Sequence, residues 1–184
     1  MRRTYSTRSA EGRSGYGFLD LTGSTYRTPG SQTRCSSSRN IKPTDLPKLA
    51  DLYLDAYGNG TSPPDAEKAA DRISAVLDGA RGTPIPQASL LTTDVEGRII
   101  AAILTTERAL GAAGPGTAFI AELFTRPDHR RQGLAEELLG HALQALHDTG
   151  HKTVSVTVDS ANAAAVALYL SRDFRRLTRP GEND

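Results

Sequence analysis

The residues best placed to do chemistry stand in the stretch HRRQGLAEELLGHAL, where Arg130, Arg131 and Gly133 gather at the point where a strand hands over to a helix. A helix start leaves backbone N–H groups without internal partners and carries the positive end of the helix dipole. Gly133 lets an anion approach the backbone and the two arginines add full charge, so a diphosphate is the natural guest. The turn is neither of the common nucleotide loops, since the chain contains no G-x-x-x-x-G-K-S/T and no G-x-G-x-x-G. Other chemistries lack their residues. His129, His141, His147 and His151 come without H-E-x-x-H or a carboxylate cluster, which argues against a metal site. No G-x-S-x-G marks a serine hydrolase. Cys35, in TRCSSSR, has no histidine near it in sequence and reads as an incidental surface thiol.

The hydrophobic pattern supplies the strand and helix that must hold such a turn. TAFIAELFT, Thr117 to Thr125, is a strand that has to stop at Pro127. Leu134, Leu138, Leu139, Ala142, Leu143 and Leu146 recur at three- and four-residue steps, so residues 131 to 148 form a helix closed by Gly150. TVSVTV, Thr153 to Val158, alternates like a strand. Ser160 to Arg172 is a helix with Ser160 as its cap, and FRRL from Phe174 opens a last short strand. Upstream, IKPTD reads as a strand leading into a helix, with Thr44 as N-cap candidate and Leu46, Leu49, Leu52, Leu54 and Ala56 as the apolar stripe. Asp65 to Ala80 is a second helix behind Pro63 and Pro64, with Ala69, Ile73, Val76 and Leu77 turned inward and Gly79 and Gly82 as its stop. ASLLTTD and RIIAAILTTE pair as a hairpin around VEG, and ALGAAGPGTA is a flexible loop. The order β–α–α–β–β–β–α–β–α–β contains a strand–helix–strand crossover, so part of the sheet is parallel and the class is mixed α/β.

With 184 residues the chain suits one compact domain, and 38% hydrophobic residues suit a packed core. Charge divides it. Residues 1 to 40 hold seven Arg, two acids and eight Ser, a net of +5, which leaves −4 on residues 41 to 184. The first segment reads as a basic N-terminal arm, disordered or partly packed, in which YGFLDLT is a short edge strand. A net charge of +1 does not drive the chain onto nucleic acid or lipid; the functional reading of the arm is a tether to nucleic acid or an acidic partner, but Arg is not interleaved with aromatics there, so a nucleic-acid partner is not the expected one. The longest apolar run, Ile99 to Leu104, is far too short to span a bilayer, and no apolar signal segment follows MRR. A lone cysteine fits a reducing, cytoplasmic setting.

Arg130 to Ala135, R-x-x-G-x-A, resembles the Q/R-x-x-G-x-G/A motif with which the GNAT superfamily of N-acyltransferases holds the pyrophosphate of acyl-CoA. Asn162, Ala165, Leu168, Tyr169 and Phe174 reproduce N-x-x-A-x-x-L-Y-x-x-x-x-F, the family's last helix and strand, at the right distance. The resemblance covers roughly residues 41 to 177. It implies a central mixed sheet, splayed into a V and flanked by helices, with the pantetheine arm in the splay. It further implies direct transfer of an acyl group from acetyl-CoA to a primary amine, without a covalent enzyme intermediate or a metal. Arg130, Arg131, Gln132, Gly133, Leu134 and Ala135 would then hold the pyrophosphate. Backbone N–H groups at Leu123, Phe124 and Thr125 would align the pantetheine and polarise the thioester carbonyl. By the same resemblance Asn162 would hold the pantetheine or its ordered water, unless it only caps its helix. Tyr169 would protonate the departing thiolate, unless it is a core aromatic. Glu122 would take the amine proton, directly or through water, unless it is an exposed strand residue.

Two features depart from the family. Asp173 stands where glycine usually precedes the phenylalanine, so the turn needs a conformation that Asp tolerates better than most residues. Only ten residues follow Phe174, too few for the family's long final strand. That strand is absent, or supplied by a second copy in a homodimer, or replaced by GFLDLT of the arm. The shortened end leaves a catalytically silent acyl-CoA-binding module as the alternative to an enzyme. The acceptor, a small molecule or a peptide amine, is not identified, although the acidic body favours a cationic one.

Overall fold

Alternation and helical spacing settle most of the elements, and the exceptions lie where a side chain or a left-handed residue redirects the backbone. A computed structural model describes residues 18–25, 37–58, 65–108 and 117–177. In chain order they form β1 (Phe18–Ser24), β2 (Ser37–Asn40), α1 (Leu46–Tyr57), α2 (Ala66–Leu77), β3 (Thr83–Pro84), β4 (Leu90–Thr93), β5 (Ile99–Arg108), β6 (Thr117–Thr125), α3 (Leu134–Asp148), β7 (Thr153–Asp159), α4 (Ala163–Leu170) and β8 (Arg175–Arg176). The mixed sheet runs β2-β4-β5-β6-β7-β1-β8, with β3 beside β5. Only β6 and β7 pair in parallel, and α3 is their crossover; the other ladders are antiparallel.

Two cores lie on opposite faces of the sheet. Leu138, Leu139, Ala142 and Leu146 of α3 pack on one face, where Tyr169 of α4 and Phe174 join them. Leu49, Leu52 and Tyr53 of α1 and Ala69, Ile73 and Val76 of α2 cover the other, against Leu91, Ala102, Leu104 and Phe124. Among the described residues no helix is long and apolar enough to cross a membrane.

The YGFLDLT segment is not at an edge. β1 lies between β7 and β8, paired with β7 over its whole length from Phe18↔Asp159 to Ser24↔Thr153, and with β8 through Leu21↔Arg176 and Thr22↔Arg175. Leu21 is fully buried, and a Cβ on Gly23 would stand 2.7 Å from the Phe174 ring, so glycine is what lets that ring close over the strand. Residues 1 to 40 thus contribute two strands, β1 and β2, to the sheet.

Other expectations shift by local chemistry. IKPTD is not a strand: β2 lies before it, and Pro43–Asp45 is a 3₁₀ turn. The cap of α1 is Asp45, not Thr44. Its buried carboxylate turns back to accept the Lys42 N–H at 2.8 Å and the Arg39 fork at 2.7 and 2.8 Å, pinning β2 to the helix. The third helix begins at Leu134, not 131, because Arg131 (φ 61°) and Gly133 (φ 83°) are left-handed. Asn162 rather than Ser160 caps α4. Asp173 adopts φ 61°, the conformation its position requires. Cys35, the arm before Phe18 and residues 109–116 of the glycine-rich loop lie outside the described residues.

The place of β1 inside the sheet gives a stability prediction. Leu21→Ala should lower unfolding free energy by about 2–5 kcal/mol, because a fully buried leucine is truncated. Phe18→Ala, at a residue 71% exposed on the same strand, should shift it by no more than about 0.5 kcal/mol. Urea denaturation of both variants checks this; equal, small effects would mean that β1 is not an integral strand.

Candidate active site

The site begins at a break in the parallel ladder. β6 and β7 pair only through Ala118↔Val154, Phe119↔Ser155 and Ile120↔Val156. Past Ile120, the backbone groups of β6 that point toward β7 have no ladder partner there, while β7 continues alongside β1. At the same point β6 bulges: Leu104 of β5 pairs with Glu122 but Thr105 pairs with Ile120, leaving Ala121 as the extra residue. The bulge swaps faces. Ala118 and Ile120 belong to the α3 core, whereas Phe124 belongs to the α1–α2 core, and Glu122 turns to that side to meet Arg72.

Glu122 is 7% exposed, and Arg72 donates Nε–H to its Oε1 at 2.5 Å. Burial raises the Glu122 pKa above the ordinary carboxylate value, opposed by the Arg72 charge and hydrogen bond and by Arg81. Three phenols surround the pair. Tyr53 lies under the Arg72 guanidinium, Tyr57 packs 4.6 Å from Tyr53, and Phe124 meets Tyr53 edge-on at 5.5 Å. Tyr169 comes from the opposite face, buried and 5.2 Å from the Phe174 ring. Burial raises the Tyr169 pKa, and Tyr57 and Glu122 push it further. Its phenol therefore stays protonated at neutral pH and senses Glu122 across the parted strands.

Next to this gap stands the helix start read from the sequence. Gly133 opens α3 with no side-chain cap, and the first internal bond runs from the Glu137 N–H to the Gly133 carbonyl at 2.9 Å. No atom lies within 4 Å of a Cβ placed on Gly133, and the first-turn N–H groups of a helix have no internal acceptor. At the end of β6, Thr125 Oγ1 and Arg126 Nε are buried without a partner among the described residues. These features fit a chain of phosphate and amide groups running from the helix start into the gap.

The expected site residues separate into groups. Glu122, Leu123, Phe124, Thr125 and Tyr169 border the gap, and Arg131, Gly133, Leu134 and Ala135 lie at the start of α3. Arg130 is committed elsewhere: Nη2 donates to the Ala56 carbonyl at 2.6 Å and Nε to the Thr125 carbonyl at 3.4 Å, tying the end of α1 to the end of β6. Gln132 folds back to the Asp128 carbonyl at 3.4 Å. Asn162 accepts the Ala165 N–H at 3.1 Å as the cap of α4. The histidines have separate partners, with His129 on Asp128, His141 on Ser38 and His151 on Thr149. Sequence reasoning missed Arg72, Tyr53 and Tyr57. The four-residue step between the two tyrosines on α1 was a usable signal; nothing near Arg72 in sequence marks it as the partner of Glu122.

The sequence model described as acetyltransferase (GNAT) family matches residues 46–174. A ribosomal protein bS18-alanine N-acetyltransferase of Escherichia coli is 44% identical over 52 residues, which are 28% of this chain; the match spans only 35% of that relative's length. Among solved structures, a GCN5-related N-acetyltransferase from Sphaerobacter thermophilus superposes with a TM-score of 0.67 at 19% identity, over 89% of this chain and 50% of the other. A GNAT family acetyltransferase from Brucella melitensis in complex with acetyl-CoA gives 0.59 at 16% identity, over 80% and 90%. At such identities these likenesses show the fold.

The geometry of Asn162 predicts a stability effect. Asn162→Ala removes the helix cap and should destabilise the protein by about 1 kcal/mol, read as a lowered thermal midpoint. An unchanged midpoint would mean that the side chain is kept for something other than the helix.

Proposed function

Because the chain belongs to the acetyltransferase (GNAT) family, we propose that it transfers an acetyl group from acetyl-CoA directly to a primary amine. The observation that carries this reading is the convergence of a buried carboxylate and a buried phenol, from opposite faces of the sheet, on the gap where β6 parts from β7. A merely structural pair would not need the strands to open.

In this reading the uncapped start of α3 and Arg131 hold the pyrophosphate, and the free edge of β6 from Glu122 to Thr125 aligns the pantetheine amides. The amine enters on the α1–α2 side. Glu122 accepts its proton as the new C–N bond forms, and a raised pKa makes it a stronger base than an exposed carboxylate. Backbone N–H groups of β6 hold the thioester oxygen while charge develops on it. As the C–S bond breaks, Tyr169 donates a hydrogen bond to the sulfur. A thiol ordinarily titrates near about 8.5, below the phenol, so complete transfer from Tyr169 proceeds only as far as the same buried gap raises the proton affinity of the thiolate. Asn162, already the cap of α4, is the proposed neighbour of the pantetheine through its remaining amide group. The partners of the reaction are acetyl-CoA and an amine, and no residue role above calls for a metal. The single cysteine and the need for acetyl-CoA support a cytoplasmic setting.

Kinetics against pH test the two roles. The acid limb of kcat/KM should fall above the ordinary carboxylate value, because the base works only when ionised and burial has raised its pKa. Glu122→Gln should lower kcat/KM about 10²–10⁴-fold and remove that limb. Tyr169→Phe should lower kcat on the order of 10- to 100-fold with acetyl-CoA affinity little changed. Near wild-type rates in both variants would contradict this assignment and favour a water network as the base.

A further inference from the structure

Arg72 meets Glu122 through Nε alone. Guanidinium is a planar fork of five N–H donors, and its two terminal nitrogens here have no acceptor among the described residues. The side chain is 41% exposed, so part of it stays open to solvent beside the buried Glu122. It is also seated: Cζ stands 5.9 Å over the Tyr53 ring, which Tyr57 and Phe124 brace in turn. A fixed, half-exposed fork beside the base is a ready anion subsite, distinct from the helix start that faces the pyrophosphate.

The local charge balance agrees. Arg72, Arg81 and Arg130 act on Glu122 or on Tyr53 and Tyr57, against the single carboxylate of Glu122. An ammonium group alone meets a carboxylate already compensated, and a polycation meets a surplus of positive charge. The acidic body does not decide the matter, because screening confines recognition to charges within about 10 Å.

Within the acetyltransferase reading, on which this inference rests, the geometry points to an acceptor that carries a carboxylate within a few atoms of its amine, the amine on Glu122 and the carboxylate on the open fork of Arg72. Two sources present that chemistry: a free amino acid, or a peptide with an acidic residue at or next to its N-terminus. The direct bond between Arg72 and Glu122 sets the short spacing.

Thiol release from acetyl-CoA tests it with matched acceptors: peptides starting with glutamate against glutamine, an amino acid against its amide, and spermidine as a polycation. Each carboxylate acceptor used by the enzyme should exceed its neutral counterpart by about 10- to 100-fold in kcat/KM, the range of one charge-assisted hydrogen bond. Spermidine should be slowest. Whichever pair supports release identifies the source. Arg72→Gln should bring the ratio close to one, mainly through KM, and Arg72→Lys should restore part of it. Because both substitutions also disturb Glu122, the ratio within each variant is the readout rather than the absolute rate. Should Arg72→Gln not fold, competitive inhibition of the unaltered protein by the deaminated carboxylate gives the same answer. Equal rates for acid and neutral partners, a preference for spermidine, or a ratio unmoved in Arg72→Gln would overturn the inference. Release without carboxylate preference contradicts only this step, whereas no release with any acceptor contradicts acetyl transfer itself.

Discussion

Everything at the site depends on the parting of β6 from β7. A sheet is a wall: residues on its two faces are separated by the backbone layer and cannot address one ligand. Glu122 and Tyr169 stand on opposite faces, so their proposed action on one substrate requires the ladder to stop at Ile120↔Val156. The bulge at Ala121 is the second half of the device. Without the extra residue, Glu122 would follow Ile120 into the α3 core, where a carboxylate has no counter-ion. With it, the carboxylate reaches Arg72 and lies against the aromatic floor of the acceptor side.

Parted strands weaken a sheet, and the structure offsets this on the far side of the gap. β7 gives up part of its parallel partner but gains β1 along its whole length, with Thr157 Oγ1 donating to Asp20 Oδ1 at 2.7 Å and the Leu177 N–H donating to the Asp20 carbonyl at 2.9 Å. Gly23 lets Phe174 close over β1, and Phe174 in turn packs against Tyr169. The N-terminal strand is thereby linked, through one aromatic contact, to the phenol of the site. On the other side, Arg130 ties the end of α1 to the end of β6, and Arg126 reaches Asp55 of α1 at 2.9 Å. Arg130, expected beside the pyrophosphate, thus also joins these two ends.

Much of this was legible in the sequence because it is written in local patterns. The β6 strand, the α3 stripe, the β4–β5 hairpin and the left-handed Asp173 each follow from residues within one element or turn. So does the start of α3, the proposed anion site, which needs only a glycine behind a strand and before a leucine stripe. Tyr169 follows from the match to the last helix and strand of a known family, and Glu122 from being the one carboxylate in the otherwise apolar TAFIAELFT strand. What escaped was non-local. No pattern in TAFIAELFT announces a bulge, since burial alternates through it while the face changes. The pairing of Arg72 with Glu122 spans 50 residues, and the position of β1 depends on a partner strand over 130 residues away. Asn162 displaced Ser160 because its side chain accepts the Ala165 N–H, whereas Asp45 displaced Thr44 with its carboxylate turned back to Lys42 and Arg39.

The central claim is that the start of α3 holds the pyrophosphate of acetyl-CoA beside the gap. Calorimetric titration of acetyl-CoA into the unaltered protein, Gly133→Asp and Gly133→Asn tests it most directly. Asp and Asn tolerate a left-handed backbone comparably and differ in charge, so the pair separates electrostatics from strain. The account predicts binding on the order of micromolar for the unaltered protein, retained in weakened form by Gly133→Asn and lost in Gly133→Asp, whose carboxylate repels the diphosphate. No binding by the unaltered protein, or equal binding by the two variants, would contradict it.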